Sequence, residues 1–363
     1  MKELKTNIVA TKPRENSGSS SSNRFDFQKD WAICKLLELH SNPDDYLLTL
    51  EHHDDVIIFD SSSEPNKISF FQVKTNIKSN WTINQLIKQK KGKSGNLLNS
   101  HLGKLFDHLM NFDENVESLN FITNNKIKGE LADSTKCENT SGFCASDLGS
   151  DDLDKILNAL KKEHSLNDLK NFKDITFFKL GELDIDKHSD LTKAKIVDFL
   201  DINFPDLKYQ IAPLYKSIFD EIKMKSDFEK EVTNFEELKS RKSVSREDFN
   251  KYLNELKNVN SIPLLTSSIE SRLNSEKVSF DILSNFRRQS RIYEIKKMSY
   301  NDKAFKVIEQ RIRTVQSKLN LEGEVGLQEI HDSILSELNI ESIVTHDLDA
   351  NLIHAMIYYI IYE

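Results

Sequence analysis

Apolar residues at Phe27, Trp31, Cys34 and Leu37 recur at helical spacing, which predicts an amphipathic helix over residues 24–40. Asn42-Pro43 stops it, because the residue before a proline is steered out of the helical region. Three short apolar runs follow, at 46–50, 56–59 and 68–73, separated by polar turn formers; they predict a meander of three strands. Residues 81–91 read as a short helix, 92–95 as a loop and 99–110 as an amphipathic helix. A fourth strand is expected at 119–123 and a fifth at 175–180, with a helix at 152–163 carrying Leu153, Leu157 and Leu160 on one face. Residues 131–150 have little periodicity and read as an excursion.

Beyond Tyr215 the pattern changes to Lys/Glu-rich stretches with apolar residues at helical intervals and no strand signal. Helices are expected at 219–232, 246–257 (with Ser245 as N-cap), 301–319 and 327–338. The last stretch, LDANLIHAMIYYIIYE, is apolar nearly all round, so its helix should be buried, in its own domain's core or in an oligomer contact. The chain therefore divides into an arm at 1–23, a mixed α/β domain at 24–215 and an all-helical region at 216–363.

The candidate chemistry sits in EHHDDVIIFDSSSEPNKISFFQVKT, residues 51–75. If its two strands pair as a hairpin, an acid at the start of one stands beside the Gln72-Val73-Lys74 end of the other. Alternation puts Gln72 and Lys74 on one face; of Asp54 and Asp55 only one can join them, and Asp55 adjoins the apolar run. A carboxylate such as Asp55 holds Mg²⁺ or Mn²⁺ through oxygen, Gln72 offers an amide oxygen and Val73 a carbonyl. The metal polarises a phosphate and activates water, and Lys74 stabilises the developing charge. That combination cuts phosphodiesters. His52-His53 can supply at most one ligand, and His101 and His108, seven apart, read as packing or surface.

The formal charge of −8 gives no global attraction to nucleic acid, so binding must be local. One stretch supplies it: from Pro65 to Phe106 there is no acid, while Lys78, Lys88, Lys90, Lys91 and Lys93 follow the motif. Clustered lysines of this kind contact phosphates in a salt-sensitive, sequence-independent way. A second basic run, Arg287 to Lys297, reads as a solvated helix face. Three cysteines without metal-ligand spacing, and no apolar leader or membrane-length run, point to a cytoplasmic protein with free thiols.

Three blocks, PRENSGSSSSNRFDFQKDWAICKLLELH, EHHDDVIIFD and FFQVKTN, resemble the double-stranded DNA endonuclease domain of the CD-NTase-associated (CBASS) nuclease effectors. That domain also occurs as the nuclease partner of HerA-type ATPases in anti-phage operons. The resemblance covers residues 13–205 and implies a PD-(D/E)xK fold, a restriction-endonuclease-like mixed sheet flanked by helices, with Mg²⁺- or Mn²⁺-dependent cleavage of double-stranded DNA. It places the family's acid on the Asp54-Asp55 pair and its Q-x-K on Gln72 and Lys74, and makes Gln28 an auxiliary group on the first helix. It further implies a homo-oligomer and a HerA-type ring ATPase as partner, with the C-terminal helices serving assembly. Glutamine replaces the superfamily's usual acid at position 72. The competing reading is a catalytically silent DNA-binding or scaffold subunit on the same fold, and the motif does not separate DNA from RNA.

Overall fold

The computed structural model describes residues 22–76, 79–92, 94–259, 262–299, 302–319, 326–338 and 349–363. The arm at 1–21, Lys78 and Lys93 lie outside the described residues. Two compact units emerge: the chain up to Phe199 together with Ile222–Phe249, and Leu200–Glu221 with Asn250–Glu363.

The first unit is built on a mixed seven-stranded sheet. Its strands are β1 (Leu47–Leu50), β2 (Val56–Phe59), β3 (Ile68–Lys74), β4 (Val116–Thr123), β5 (Gly142–Cys144), β6 (Thr176–Leu180) and β7 (Ser243–Ser245). They stand in the order β7-β1-β2-β3-β4-β6-β5. β1, β2 and β3 form the antiparallel meander that the hydrophobic pattern predicts. β4 runs parallel to β3 and β6 parallel to β4, while β5 and β7 close the edges antiparallel.

Helices cover both faces, which is why the central strands are apolar without alternation: every residue of β1 and β2 is buried. On one face α1 (Ser22–Ser41) lays Trp31 against Phe71 of β3, ring centroids 5.4 Å apart. On the other, α2 (His101–Phe112) and α3 (Ser150–His164) cover Phe70, Phe121 and Phe178, all fully buried. α4 (His188–Asn203) returns to α1, where His188 bonds Asp30.

Three expectations are corrected. The segment after residue 216 is helical except for β7, which pairs Ser245 with Leu47 and Ser243 with Thr49. Its polar side chains escape hydrophobic-pattern reading because they satisfy each other: Thr49 and Ser243 hydroxyls lie 2.7 Å apart in the core. Ser245 still caps the helix Arg246–Val259, accepting from the Asp248 N–H at 3.1 Å. Residues 81–91 are not one helix: a single turn, Ile83–Leu86, is closed by a Thr82–Gln85 capping box, and Lys90–Lys91 is extended. No apolar residue after Ile87 is available to bury, so nothing holds a second turn. The helix expected at 219–232 instead spans Ile211–Ser226.

Among the described residues every regular element of the second unit is a helix. Its last helix, Ala350–Tyr362, buries Leu352, Ile353, Met356, Ile357, Tyr359 and Ile360 within that unit. The run Arg287 to Lys297 lies on the helix Phe280–Lys297, with Arg287 paired to Glu270, Lys296 to Asp302 and Lys297 to Glu309. The three cysteines are free. Among the described residues no helix is long and apolar enough to cross a membrane.

Candidate active site

The register of β2 on β3 pairs Val56 with Phe71, so Asp55 falls next to Gln72 at the strand ends. Asp55 Oδ2 accepts the Val73 N–H at 2.7 Å and meets Lys74 Nζ at 3.0 Å, with Oδ1 at 3.3 Å from the same ammonium. Gln28, on α1, donates from Nε2 to the Val73 carbonyl at 2.8 Å. Gln72 is 2% exposed, and its Oε1 lies 3.3 Å from His101 Nδ1 on α2. Asp55, Gln72, Val73, Lys74 and Gln28 thus form one connected cluster.

Asp54 takes a different path. β2 begins only at Val56, so strand alternation does not govern the acids before it. Asp54 Oδ1 accepts the Asp55 N–H at 3.0 Å, and Oδ2 lies 3.0 Å from His108 Nε2. His108 is stacked flat on Phe70, centroids 4.1 Å apart. His53 packs its ring edge-on against Phe112, centroids 5.2 Å apart. His101 and His108, two turns apart on α2, therefore reach the two halves of the motif, Gln72 and Asp54. Both are packed as their spacing led one to expect, His108 on Phe70 and His101 against Trp81 and Phe121.

Glu51 is the group missed. It sits at φ 46, a left-handed conformation that a non-glycine residue adopts only where the surroundings enforce it. Two backbone bonds do so: its N–H donates to the Asp55 carbonyl at 3.1 Å, and its carbonyl accepts from Lys242 Nζ at 2.7 Å. The tight Glu51–Asp55 turn brings a third carboxyl into the field of the first two.

The electrostatics follow from one lysine facing three carboxyls. Burial and the neighbouring Asp55 push Glu51 up to about 8. Burial, reinforced by Asp54, pushes Asp55 up to about 6 against the pull of Lys74 and the Val73 N–H. Asp54 is also buried, but its bond to His108 and the charge of Lys74 hold it below the usual carboxylate range. For Lys74 burial works against the ammonium, and Asp55 and Asp54 outweigh it, so its pKa rises. Burial, Lys74 and Lys90 hold His101 down to about 4, so it is neutral at physiological pH.

A site with more negative charge than its lysine can neutralise is suited to a cation. The oxygen donors of the cluster are the Asp55 carboxyl, the Gln72 amide and the Val73 carbonyl, with the Glu51 carboxyl in the same electrostatic field. Among the described residues no three His, Cys, Asp or Glu side chains converge as a preformed cage.

The charge balance has a measurable consequence. In the unfolded chain Glu51 loses its proton near 4.5, in the folded metal-free protein only near 8. Between those values the native state binds the extra proton, so stability is full below the lower value and is lost as pH rises through the upper one. Melting curves of the metal-free protein are expected to fall across this window, and Glu51→Gln to flatten them. An unchanged slope in that variant contradicts the assignment.

Of the lysines expected to contact DNA, Lys88, Lys90 and Lys91 are exposed. They lie in the segment between β3 and α2. A sequence model described as the Cap4, dsDNA endonuclease domain matches residues 16–226. The chain belongs to this family. The match takes in Gln28, Glu51, Asp54, Asp55, Gln72, Lys74 and both histidines of α2. The chain is also 27% identical over 277 residues to the Lamassu protein LmuA of Bacillus cereus (strain VD014), covering 76% of this chain and 74% of that protein.

Proposed function

We propose that this member of the Cap4 dsDNA endonuclease domain family cuts double-stranded DNA with Mg²⁺ or Mn²⁺, as an effector of anti-phage defence. The observation that carries the reading is Asp55, held between the Val73 N–H and Lys74 Nζ in the strand-end position next to Gln72. The half-buried acid and lysine held in contact at the strand ends, with Gln28 on the Val73 carbonyl, favour catalysis over a silent scaffold.

Asp55, with the Gln72 amide oxygen and Val73 carbonyl, would hold the cation, and Glu51 adds a second carboxylate. The bound cation supplies Lewis acidity toward the scissile phosphate and lowers the pKa of a water. The remaining work belongs to the chain. Lys74 Nζ offers its charge to the phosphoryl oxygens as negative charge develops there. Gln28 fixes the Val73 carbonyl, neutral His101 orients the Gln72 amide, and the Asp54–His108 pair anchors the acidic turn to α2. These are fixed dipoles on rigid elements, so little reorganisation is needed during reaction. The fold is then of the PD-(D/E)xK type, with Lys88, Lys90 and Lys91 on phosphates along the flank.

A homo-oligomer and a HerA-type ring ATPase are the proposed assembly, on the strength of the family resemblance. Cleavage of supercoiled plasmid that requires Mg²⁺ or Mn²⁺ and stops on chelation is the test of the catalytic reading.

A further inference from the structure

Between buried Leu86 and buried Ser100 no described residue is buried. Within this stretch Lys90–Lys91 pairs antiparallel with Leu97–Leu98, Lys90 opposite Leu98 and Lys91 opposite Leu97. The turn is closed by the Gly92 N–H on the Asn96 carbonyl at 2.8 Å, with Gly95 at φ 83, a conformation natural only to glycine. Leu97 is 60% and Leu98 51% exposed. Because adjacent strand residues face opposite ways, each side of this hairpin carries one ammonium and one isobutyl group.

We propose that the hairpin is a DNA wedge: Leu97 and Leu98 enter a groove and press between base pairs, while Lys90 and Lys91 hold the flanking phosphates. The inference rests on the DNA endonuclease reading and adds how the duplex is gripped and deformed. Leucine wedges flanked by basic residues unstack a base step and kink the helix, gaining contact elsewhere on the protein. A two-stranded ribbon presenting four side chains fits a groove. It is far too small for a stable protein interface, which buries about 1,200–2,000 Å². No acid lies between Pro65 and Phe106 to repel phosphate.

Position supports the same occupant. The strand Leu97–Leu98 leads within three residues to His101, the first residue of α2 and the one whose Nδ1 lies 3.3 Å from the Gln72 Oε1. The outgoing strand is tied to the body directly after Leu98. Glu163 of α3 takes the Ser100 N–H at 2.7 Å and its hydroxyl at 2.8 Å, and that hydroxyl caps α2 through the Gly103 N–H. A side chain at Gly103 would meet the Glu163 carboxylate and displace it from this position. A bend imposed at the hairpin is thereby applied next to the scissile position.

The test uses the full chain carrying Lys74→Ala, so that the duplex stays intact, with a short end-labelled duplex read by anisotropy and by energy transfer between its ends. Adding Leu97→Ser with Leu98→Ser is expected to lower affinity about tenfold and abolish the bend signal, leaving the salt dependence unchanged. Lys90→Ala with Lys91→Ala is expected to reduce the slope of log affinity against log salt by about two. A leucine variant that binds and bends DNA like its parent overturns the wedge. So does one that changes the mass of the DNA-free protein while leaving DNA binding intact, because the leucines then serve a protein contact. A parent that does not bind the duplex at all fails the endonuclease reading itself, a distinguishable result.

Discussion

Lys74→Ala is expected to reduce metal-dependent plasmid cleavage by on the order of a thousandfold, the scale of losing one preorganised charge at a developing anion. Lys74 is the cation in contact with Asp55, and its side chain is only 22% exposed. The variant also carries a structural cost, since removing one partner of a buried ion pair costs roughly 3–5 kcal/mol when the other charge stays uncompensated. Part of that cost is avoided because Asp55, already pushed up to about 6, takes a proton once the lysine is gone. Circular dichroism and a melting curve run beside the cleavage assay separate chemistry from folding. A folded variant with undiminished cutting removes Lys74 from the mechanism.

Tyr359→Ala is expected to destabilise the C-terminal unit by about 3–5 kcal/mol, the usual range for deleting a fully buried aromatic ring. Tyr359 is 0% exposed, stacks on Tyr293 with centroids 4.0 Å apart, and shares a hydroxyl hydrogen bond with Thr266. Phe286 packs against it at 5.5 Å. Against a total of roughly 5–15 kcal/mol for a domain, such a loss is severe. Of the two roles open to the apolar C-terminal helix, the structure assigns these side chains to the core of their own unit. Denaturant unfolding followed by proteolysis of residues 250–363 checks this. A variant with wild-type stability but altered mass would mean that the helix serves an oligomer contact instead.

What the sequence showed and hid follows physical lines. The meander and the Asp55–Gln72–Lys74 cluster were legible because they depend on neighbouring strands joined by a short turn, where apolar runs and turn formers suffice. β7 was not, because its partner β1 lies about two hundred residues earlier and its buried Ser243 and Ser245 look like loop. Glu51 was hidden because its place in the site depends on a left-handed backbone held by Lys242, a contact with no local signature. The hairpin at 90–98 was read as helix and loop because its two leucines bury nothing, so they carry no periodicity. His101 and His108 were visible as a spacing, but their role needed the register of α2 on β3.

The account stands most directly on the metal dependence of DNA cutting by the cluster around Asp55. The decisive measurement is cleavage of supercoiled plasmid by the full chain in Mg²⁺, in Mn²⁺ and after chelation, with Asp55→Asn beside the wild type. The account predicts nicking or linearisation with either cation, none after chelation and none from Asp55→Asn. Cutting that survives chelation, or that Asp55→Asn retains in full, contradicts it.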